Sequence, residues 1–422
     1  MTGDSTAWRR ARTVVAHLLP VEQSSVLLRH DTAAVSGRAE PVVIIGGAVL
    51  DVQAWPAVAP QGGTTVPGLV KQIPGGVARN IAAVLAALLH PSRGPPPLLV
   101  TALGEDSPGH LLLSNLRCVL LFSLSVLRTR VLTYMSRRRR ELGMPTDGVR
   151  VCPGGATPCV CAVFGADGGG DIVAAVAACD LVEQELTADW VARFRRDIKR
   201  APLVVLDANM APDALLAAAR LAADDRVPVF IEPVSVAKAC RAVPALRYAT
   251  WVSPNSAELL AIAAELDASF ARQASASAQQ HFTSLSDALQ ALRPAIEAVL
   301  HAGVRHIITT LGPAGVLLSS RDPAAGATSH WALPAAPVLQ VVSTAGAGDA
   351  LVAGTVAALT THAAGSGITS VAAVRSALAT GTAAAAVVVQ HKDNAPPREA
   401  FAGVLLASAA AAQQQRAGYV LA

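Results

Sequence analysis

Aromatic side chains are scarce in this sequence: Phe, Trp and Tyr make up 4% of 422 residues. That argues against a nucleic-acid surface built from stacking rings. Charge is sparse too, at 15% Asp, Glu, Lys and Arg with a formal net charge of +4. The one basic run, Arg137 to Arg140, reads as solvated surface, so no nucleic-acid partner is expected. Six cysteines are too few for a disulfide framework in so long a chain. Cys159 and Cys161 would face one side of a strand, which is half of a metal site, but Cys118, Cys152, Cys179 and Cys240 supply no second pair. Reduced thiols are expected instead. No apolar run reaches the ~18 residues that span a bilayer. The nearest, Leu111 to Met135, is broken by Arg117, Arg128 and Arg130. The N-terminus lacks the apolar core and cleavage site of a secretory signal. A soluble, intracellular protein with no membrane partner is the expectation.

Hydrophobic residues make up 52% of the chain, ample for one large domain or two ordinary ones. The most informative stretch is Ser343 to Gly354, STAGAGDALVAG. Small residues lead to one acid, Asp349, and an apolar stretch follows. A glycine-rich turn feeding a helix aims backbone N–H groups at one spot, and the helix dipole adds positive potential there. From the Gly346 turn, the N–H groups of Ala347, Gly348 and Asp349 would form an anion hole, with the Asp349 carboxylate beside it as a base. Alone, the stretch fits an ordinary turn with an N-terminal Asp as well.

Residues 1–40 form an N-terminal extension. Its spacing of Arg10-Ala11, five residues, then His17-Leu18 resembles an N-terminal peroxisomal nonapeptide, a receptor-read address. An ordinary short helix is the alternative. Pro41 to Ile45 reads as a buried parallel strand that leaves the sheet at Gly46-Gly47, with Asp51 close behind. Pro56 to Ile73 reads as extended or flap-like. Pro74 to Leu89, PGGVARNIAAVLAALL, places Ile81, Val84, Leu85 and Leu88 on one helical face. Gly75 and Gly76 precede that helix, and Asn80 offers both a donor and an acceptor.

Strands are expected at Leu98 to Leu103, Leu203 to Leu206, Val227 to Ile231, His306 to Thr310, Val316 to Ser319 and Gln340 to Val342. Helices are expected at Gly109 to Leu116, Leu186 to Phe194, Ala214 to Ala223, Leu292 to Leu300 and Ala372 to Val389. Strand and helix alternate as in a parallel α/β sheet. Thr157 to Phe164 and Asp171 to Val176 read as a hairpin. Asn255 and Glu258, three apart at a helix start, share a face and fit either a capping pair or a site.

Gly-Gly-x-x-x-Asn at Gly75, Gly76 and Asn80, with Gly-Ala-Gly-Asp at 346–349, resembles the two signatures of the PfkB (ribokinase-like) kinases. PGGVARNIA and VSVAKA (Val234 to Ala239) resemble the pseudouridine kinase branch more than the ribokinase or adenosine kinase branches. The similarity covers about 41–400 and is broken by an atypical insert at 117–140; 401–422 is a tail. The resemblance implies a three-layer α/β/α sandwich with a mostly parallel sheet and a small β lid from about 50–75 and 155–178. It implies ATP and Mg²⁺ as cofactors, with monovalent-cation activation left open because Ser343 stands where Asp is common. Asp349 would be the base. Asp51, Gly75, Gly76 and Asn80 would hold the sugar. Asn255, Thr310, Gly312, Gly315 and Asn394 would hold ATP, with Asn394 near the adenine, and Glu258 would act at the metal. The implied reaction phosphorylates a sugar or nucleoside 5′-hydroxyl, pseudouridine first. A ribokinase or adenosine kinase activity and an inactive scaffold are the alternatives. A homodimer through the lid and a metabolic link to a pseudouridine 5′-phosphate glycosidase are also implied.

Overall fold

The computed structural model describes residues 39–421, except 61, 118–142, 167–171, 277–281, 283, 323–325, 363–366 and 405–419. The peroxisomal motif, nearly all of the insert and most of the tail lie outside the described residues. The first half of the chain builds β1 (Val43–Ile45), β2 (Val49–Pro56), β3 (Gly68–Gly75), α1 (Val77–Arg93), β4 (Leu98–Gly104), α2 (Ser107–Leu116), β5 (Val149–Cys152), β6 (Cys159–Phe164) and β7 (Ile172–Ala178). Next come α3 (Asp180–Glu185), α4 (Ala188–Ala192), α5 (Arg195–Arg200), β8 (Val204–Asp207), α6 (Pro212–Asp224), β9 (Val229–Glu232), α7 (Val236–Ala239), β10 (Trp251–Val252) and α8 (Ser256–Leu266). The chain continues with α9 (Ala271–Ala276), α10 (Leu285–His301), β11 (His306–Thr310), β12 (Val316–Arg321), β13 (Thr328–Leu333), α11 (Ala347–His362), α12 (Val371–Val389) and β14 (Val420–Leu421).

The large sheet has the order β14-β13-β12-β11-β10-β9-β8-β1-β4-β5. It is parallel from β11 to β5, and β12, β13 and β14 run antiparallel at one edge. Its central strands are apolar on both faces, as a covered parallel sheet requires. Val43 and Ile45 join one core cluster with α6, α8 and α10; Ile44 joins the other with α1, α11 and α12. The result is the expected α/β/α sandwich. A second sheet, β3-β2-β6-β7, is the small one. The Pro- and Gly-rich flap thus contributes to two strands, β2 and β3, that pair from Val49↔Gly75 to Pro56↔Gly68. The expected hairpin is β6 and β7.

Gln340 to Val342 is not a strand. The hairpin β12–β13 already occupies the edge beside β11, so this segment finds no ladder; Val342 and Ser343 N–H donate instead to Val389 O at 2.7 and 3.2 Å. Leu186 to Phe194 is not one helix either. The Thr187 side chain accepts from Trp190 N and restarts the chain as α4 after α3. The helix α12 is long and apolar enough to cross a membrane by length and composition, yet half of that window is buried. Gly354 and Gly381 let it meet α11 closely: a Cβ on Gly381 would stand 2.4 Å from Thr355 Oγ1 and 2.6 Å from Leu351 O.

Candidate active site

Two chain crossings build the site. In the first, β1 ends at Gly46-Gly47 and α1 begins just after Gly76. A Cβ on Gly76, whose φ is +91°, would stand 2.6 Å from Gly47 O. Asp207, at the end of β8, locks this crossing from beneath: its Oδ2 accepts from Gly47 N and Ala78 N, each at 2.9 Å, and it is fully buried. Burial raises its pKa, and the three backbone N–H bonds oppose that rise. The expected strand Leu203 to Leu206 stops one residue short of Asp207, and no local pattern shows this bracing role, because its partners lie 129 and 160 residues away.

In the second crossing, the Gly346 turn feeds α11 and meets residue 394. Gly346 has φ +79°, and a Cβ there would stand 2.5 Å from Asn394 O. Asp349 lies in the first turn of α11, 8% exposed, and its Oδ2 accepts from Asn80 Nδ2 at 2.9 Å. Burial pushes its pKa up to about 7; the Asn80 bond and Arg79 oppose the rise, while Asp207 and Asp51 add to it. Asn80 Oδ1 in turn accepts from Arg79 Nη1 at 3.1 Å. Arg79, buried and also donating to Pro74 O and Asn115 Oδ1, is a site residue that the sequence reading passed over.

Asp51 sits on β2 rather than in a turn. It faces Gly75, where a Cβ would stand 2.3 Å from its Oδ2, and burial raises its pKa to about 6. Asn394 Nδ2 donates to that same Oδ2 at 3.0 Å. The structure therefore puts the Asn394 side chain on Asp51, whereas the sequence expectation put Asn394 beside adenine and Asp51 at the sugar. The bends at 391–395 fold back from α12 onto the Gly346 turn, which carries it there.

A cavity of about 300 Å³ opens on Asp349, with Glu232, Ser253, Glu258, Thr310 and Gly346 in its wall. Asn255 and Glu258 form a reciprocal capping box on α8, each bond 2.9 Å. The capping reading and the cavity position thus both hold for Glu258. Burial raises its pKa. Glu232, unassigned in the sequence, accepts from Ser253 Oγ; burial and then the Glu258 charge hold its pKa well above the usual carboxylate range. Val234, two residues on, has φ +73°, a strained conformation for a β-branched side chain, and also lines the cavity. Thr310 N donates to Pro254 O at 3.0 Å, tying β11 to the α8 cap. Gly312 (φ +55°) and Gly315 (φ +113°) shape the β11–β12 turn and are not in the cavity wall described. Of the N–H groups expected to form an anion hole, Ala347 N donates within the turn to Thr344 O at 3.2 Å, which removes it from that set. Gly346 and Gly348 line the cavity, and nothing stands within 4 Å of a Cβ placed on Gly348.

A buried carboxylate at a helix N-terminus, facing a cavity at the carboxyl ends of parallel strands, defines a group-transfer cleft of the α/β class. The chain belongs to the PfkB family of carbohydrate kinases, whose model matches residues 134–400. It is a phosphotransferase with an alcohol acceptor, of the sugar or nucleoside kinase class. It is 34% identical over 397 residues to the pseudouridine kinase of Arabidopsis thaliana, covering 85% of this chain and 92% of that protein. It is 27% identical over 315 residues to the pseudouridine kinase of Escherichia coli (strain K12), covering 74% and 82%. Among solved structures, Giardia lamblia ribokinase superposes with a TM-score of 0.63 at 17% identity, covering 87% of this chain and 99% of that one. Arabidopsis thaliana ribokinase complexed with ribose and ATP gives 0.61 at 20%, with the same coverage. These two likenesses establish the ribokinase-like fold.

Proposed function

We propose that this kinase transfers the γ-phosphoryl of ATP to the 5′-hydroxyl of pseudouridine, giving pseudouridine 5′-phosphate. The observation that carries the reading is Asp349, buried at the start of α11, held at 2.9 Å by Asn80 and facing the cavity with a pKa of about 7. The two relatives named pseudouridine kinase support the choice of acceptor. Asp349 takes the proton of the attacking hydroxyl, an effect worth about 10²–10⁴-fold. Asn80 orients that carboxylate. The first turn of α11, with Gly348 open to the cavity, offers N–H groups and the helix dipole to charge developing on the transferred group. Asp51, Gly75 and Gly76 hold the ribose diol. Asn255 and Thr310 border the ATP side, and Gly312 and Gly315 shape the turn beside it.

Glu232 and Glu258 place carboxylate oxygens in the cavity wall, a chemistry that fits a hard cation. Burial first, and then like-charge repulsion from Glu258, raises the pKa of Glu232, and a cation beside the two would relieve the repulsion. Among the described residues no three His, Cys, Asp or Glu could hold a metal ion by themselves. In this reading Mg²⁺ is kept largely by water and phosphate oxygens, with Glu258 and Glu232 contributing through water. Bound Mg²⁺ supplies neutralisation of phosphate charge. Monovalent-cation activation near Ser343 belongs to the same reading and is tested by exchanging potassium for choline in the assay. A homodimer through the small sheet, where Leu69, Val70, Val173 and Val176 are exposed, is tested by light scattering. The peroxisomal address is tested by imaging a tagged full chain. The product would feed a glycosidase that cleaves pseudouridine 5′-phosphate.

The test of the function is ADP release with pseudouridine, uridine, adenosine and ribose as acceptors. Pseudouridine as the preferred acceptor is expected. Preference for ribose or adenosine would overturn the assignment of acceptor, and no turnover with any of them would overturn the kinase reading.

A further inference from the structure

Lys238 and Asn209 form a polar pair that the reaction described above leaves unused. Lys238 lies on the short helix α7 and is only half-buried. Its Nζ donates to Asn209 Oδ1 at 2.7 Å. The ammonium is thus anchored on a neutral amide, and of its three donors this bond takes one. Asn209 is itself fixed from two sides. Its backbone N donates to Asp207 Oδ1 at 2.9 Å, the carboxylate that braces the Gly47 crossing. Its side-chain amide lies against Gly47, where a Cβ would stand 2.8 Å from Nδ2. Gly47 O in turn stands beneath Gly76. The pair therefore borders the glycine floor proposed for the ribose, on the β8–β9 side. Three residues beyond Lys238, Arg241 pairs with Glu183 of α3 at 2.8 Å, and α3 follows the lid strand β7, which sets this end of α7 beside the junction of floor and lid.

We propose that Lys238, positioned by Asn209, donates a hydrogen bond to a carbonyl oxygen of the acceptor's base and so selects a carbonyl-bearing nucleoside over a free sugar. This rests on the nucleoside-kinase reading above. Asp51 and the glycines would fix the diol, and Asp349 the 5′-hydroxyl. A base carried on C1′ must then leave the ribose away from both, and a rigid donor at the floor–lid junction meets it there. The floor glycines leave no side chain of their own for recognition, so a neighbouring donor has to supply it. A site that hydrogen-bonds a substrate group discriminates strongly against an acceptor lacking it, because the site's own polar group is left without its partner.

The experiment compares kcat/KM for the preferred base-bearing nucleoside with that for ribose, in wild type, Lys238→Met and Lys238→Arg, using the full chain. The wild-type acceptor profile by itself tests the proposed function. The expected result for Lys238→Met is a fall of at least tenfold in the nucleoside-to-ribose ratio, carried by KM for the nucleoside, with partial recovery in Lys238→Arg. An equal loss with both acceptors, or no change in the ratio, would overturn the base-reading role and leave the kinase reading standing. Thermal melting of each variant separates a folding defect, which would lower both activities together, from a change in recognition.

Discussion

An aspartate whose pKa stands near 7 is half-protonated at neutral pH, so Asp349 is poised between the state that accepts a proton and the state that cannot. In its proposed role as base it must be ionised, and kcat is expected to rise through pH 7 and level off above it. Asn80 donates to the charged form and opposes the upward shift. A hydrogen bond to a charged group contributes roughly 1.5–3 kcal/mol, so Asn80→Ala should move the alkaline-going limb of kcat up by about one pH unit or more, read at saturating acceptor. An unmoved limb would detach Asn80 from the base. The same burial has a consequence for folding. Asp349 and Asp51 hold protons in the folded chain that they release in the unfolded chain above about pH 4. The native state binds more protons in that window, so stability falls as pH rises from about 4 to 7, by an amount on the order of 4 kcal/mol from Asp349 alone. Denaturant midpoints of the ligand-free protein at pH 5 and pH 8 check this, with the lower midpoint expected at pH 8.

Among the elements, α11 carries Asp349, the proposed base, and its contact with α12 rests on two small residues. Replacing a helical Gly by Ala ordinarily stabilises by about 1 kcal/mol through propensity. At Gly381 the added carbon would meet Leu351 O, which is backbone and cannot swing aside. Overpacking of this kind costs about 1–3 kcal/mol, so the clash wins. Gly381→Ala is expected to lower the melting temperature and to reduce activity through displacement of α11. An unchanged or raised melting temperature would show that the helices can part without cost. The elements also show what could be read from the chain beforehand. The periodicity of Ile81, Val84, Leu85 and Leu88 specifies α1, and the β-branched run before Gly46 specifies β1, because both depend on local pattern. Gln340 to Val342 carries a strand-like pattern, but the sheet edge is filled by β12 and β13, which no local window reveals. Asp207, Arg79 and Glu232 were likewise illegible as site residues. Their significance comes from partners brought in by the fold, such as Gly47 N for Asp207 and Ser253 Oγ for Glu232.

For the molecule as a whole, the sandwich brings residues from four regions of the chain to one cleft: Asp51 and Asn80, Asp207 with Glu232, Asn255 with Glu258 and Thr310, and Asp349 with Asn394. Sequence motifs supplied the first, third and fourth of these groups in outline. The direction in which Asn394 faces became legible only once its bond to Asp51 was in view. This cleft is proposed to phosphorylate a nucleoside 5′-hydroxyl with Asp349 as base. The most direct test of that proposal incubates ATP and pseudouridine with wild type and with Asp349→Asn, and follows the product by phosphorus NMR and mass spectrometry. Pseudouridine 5′-phosphate is expected from the wild type, and a rate at least ~10²-fold lower from the variant, with its fold intact by circular dichroism. Full activity in Asp349→Asn, or phosphate on a hydroxyl other than the 5′, would contradict the proposal.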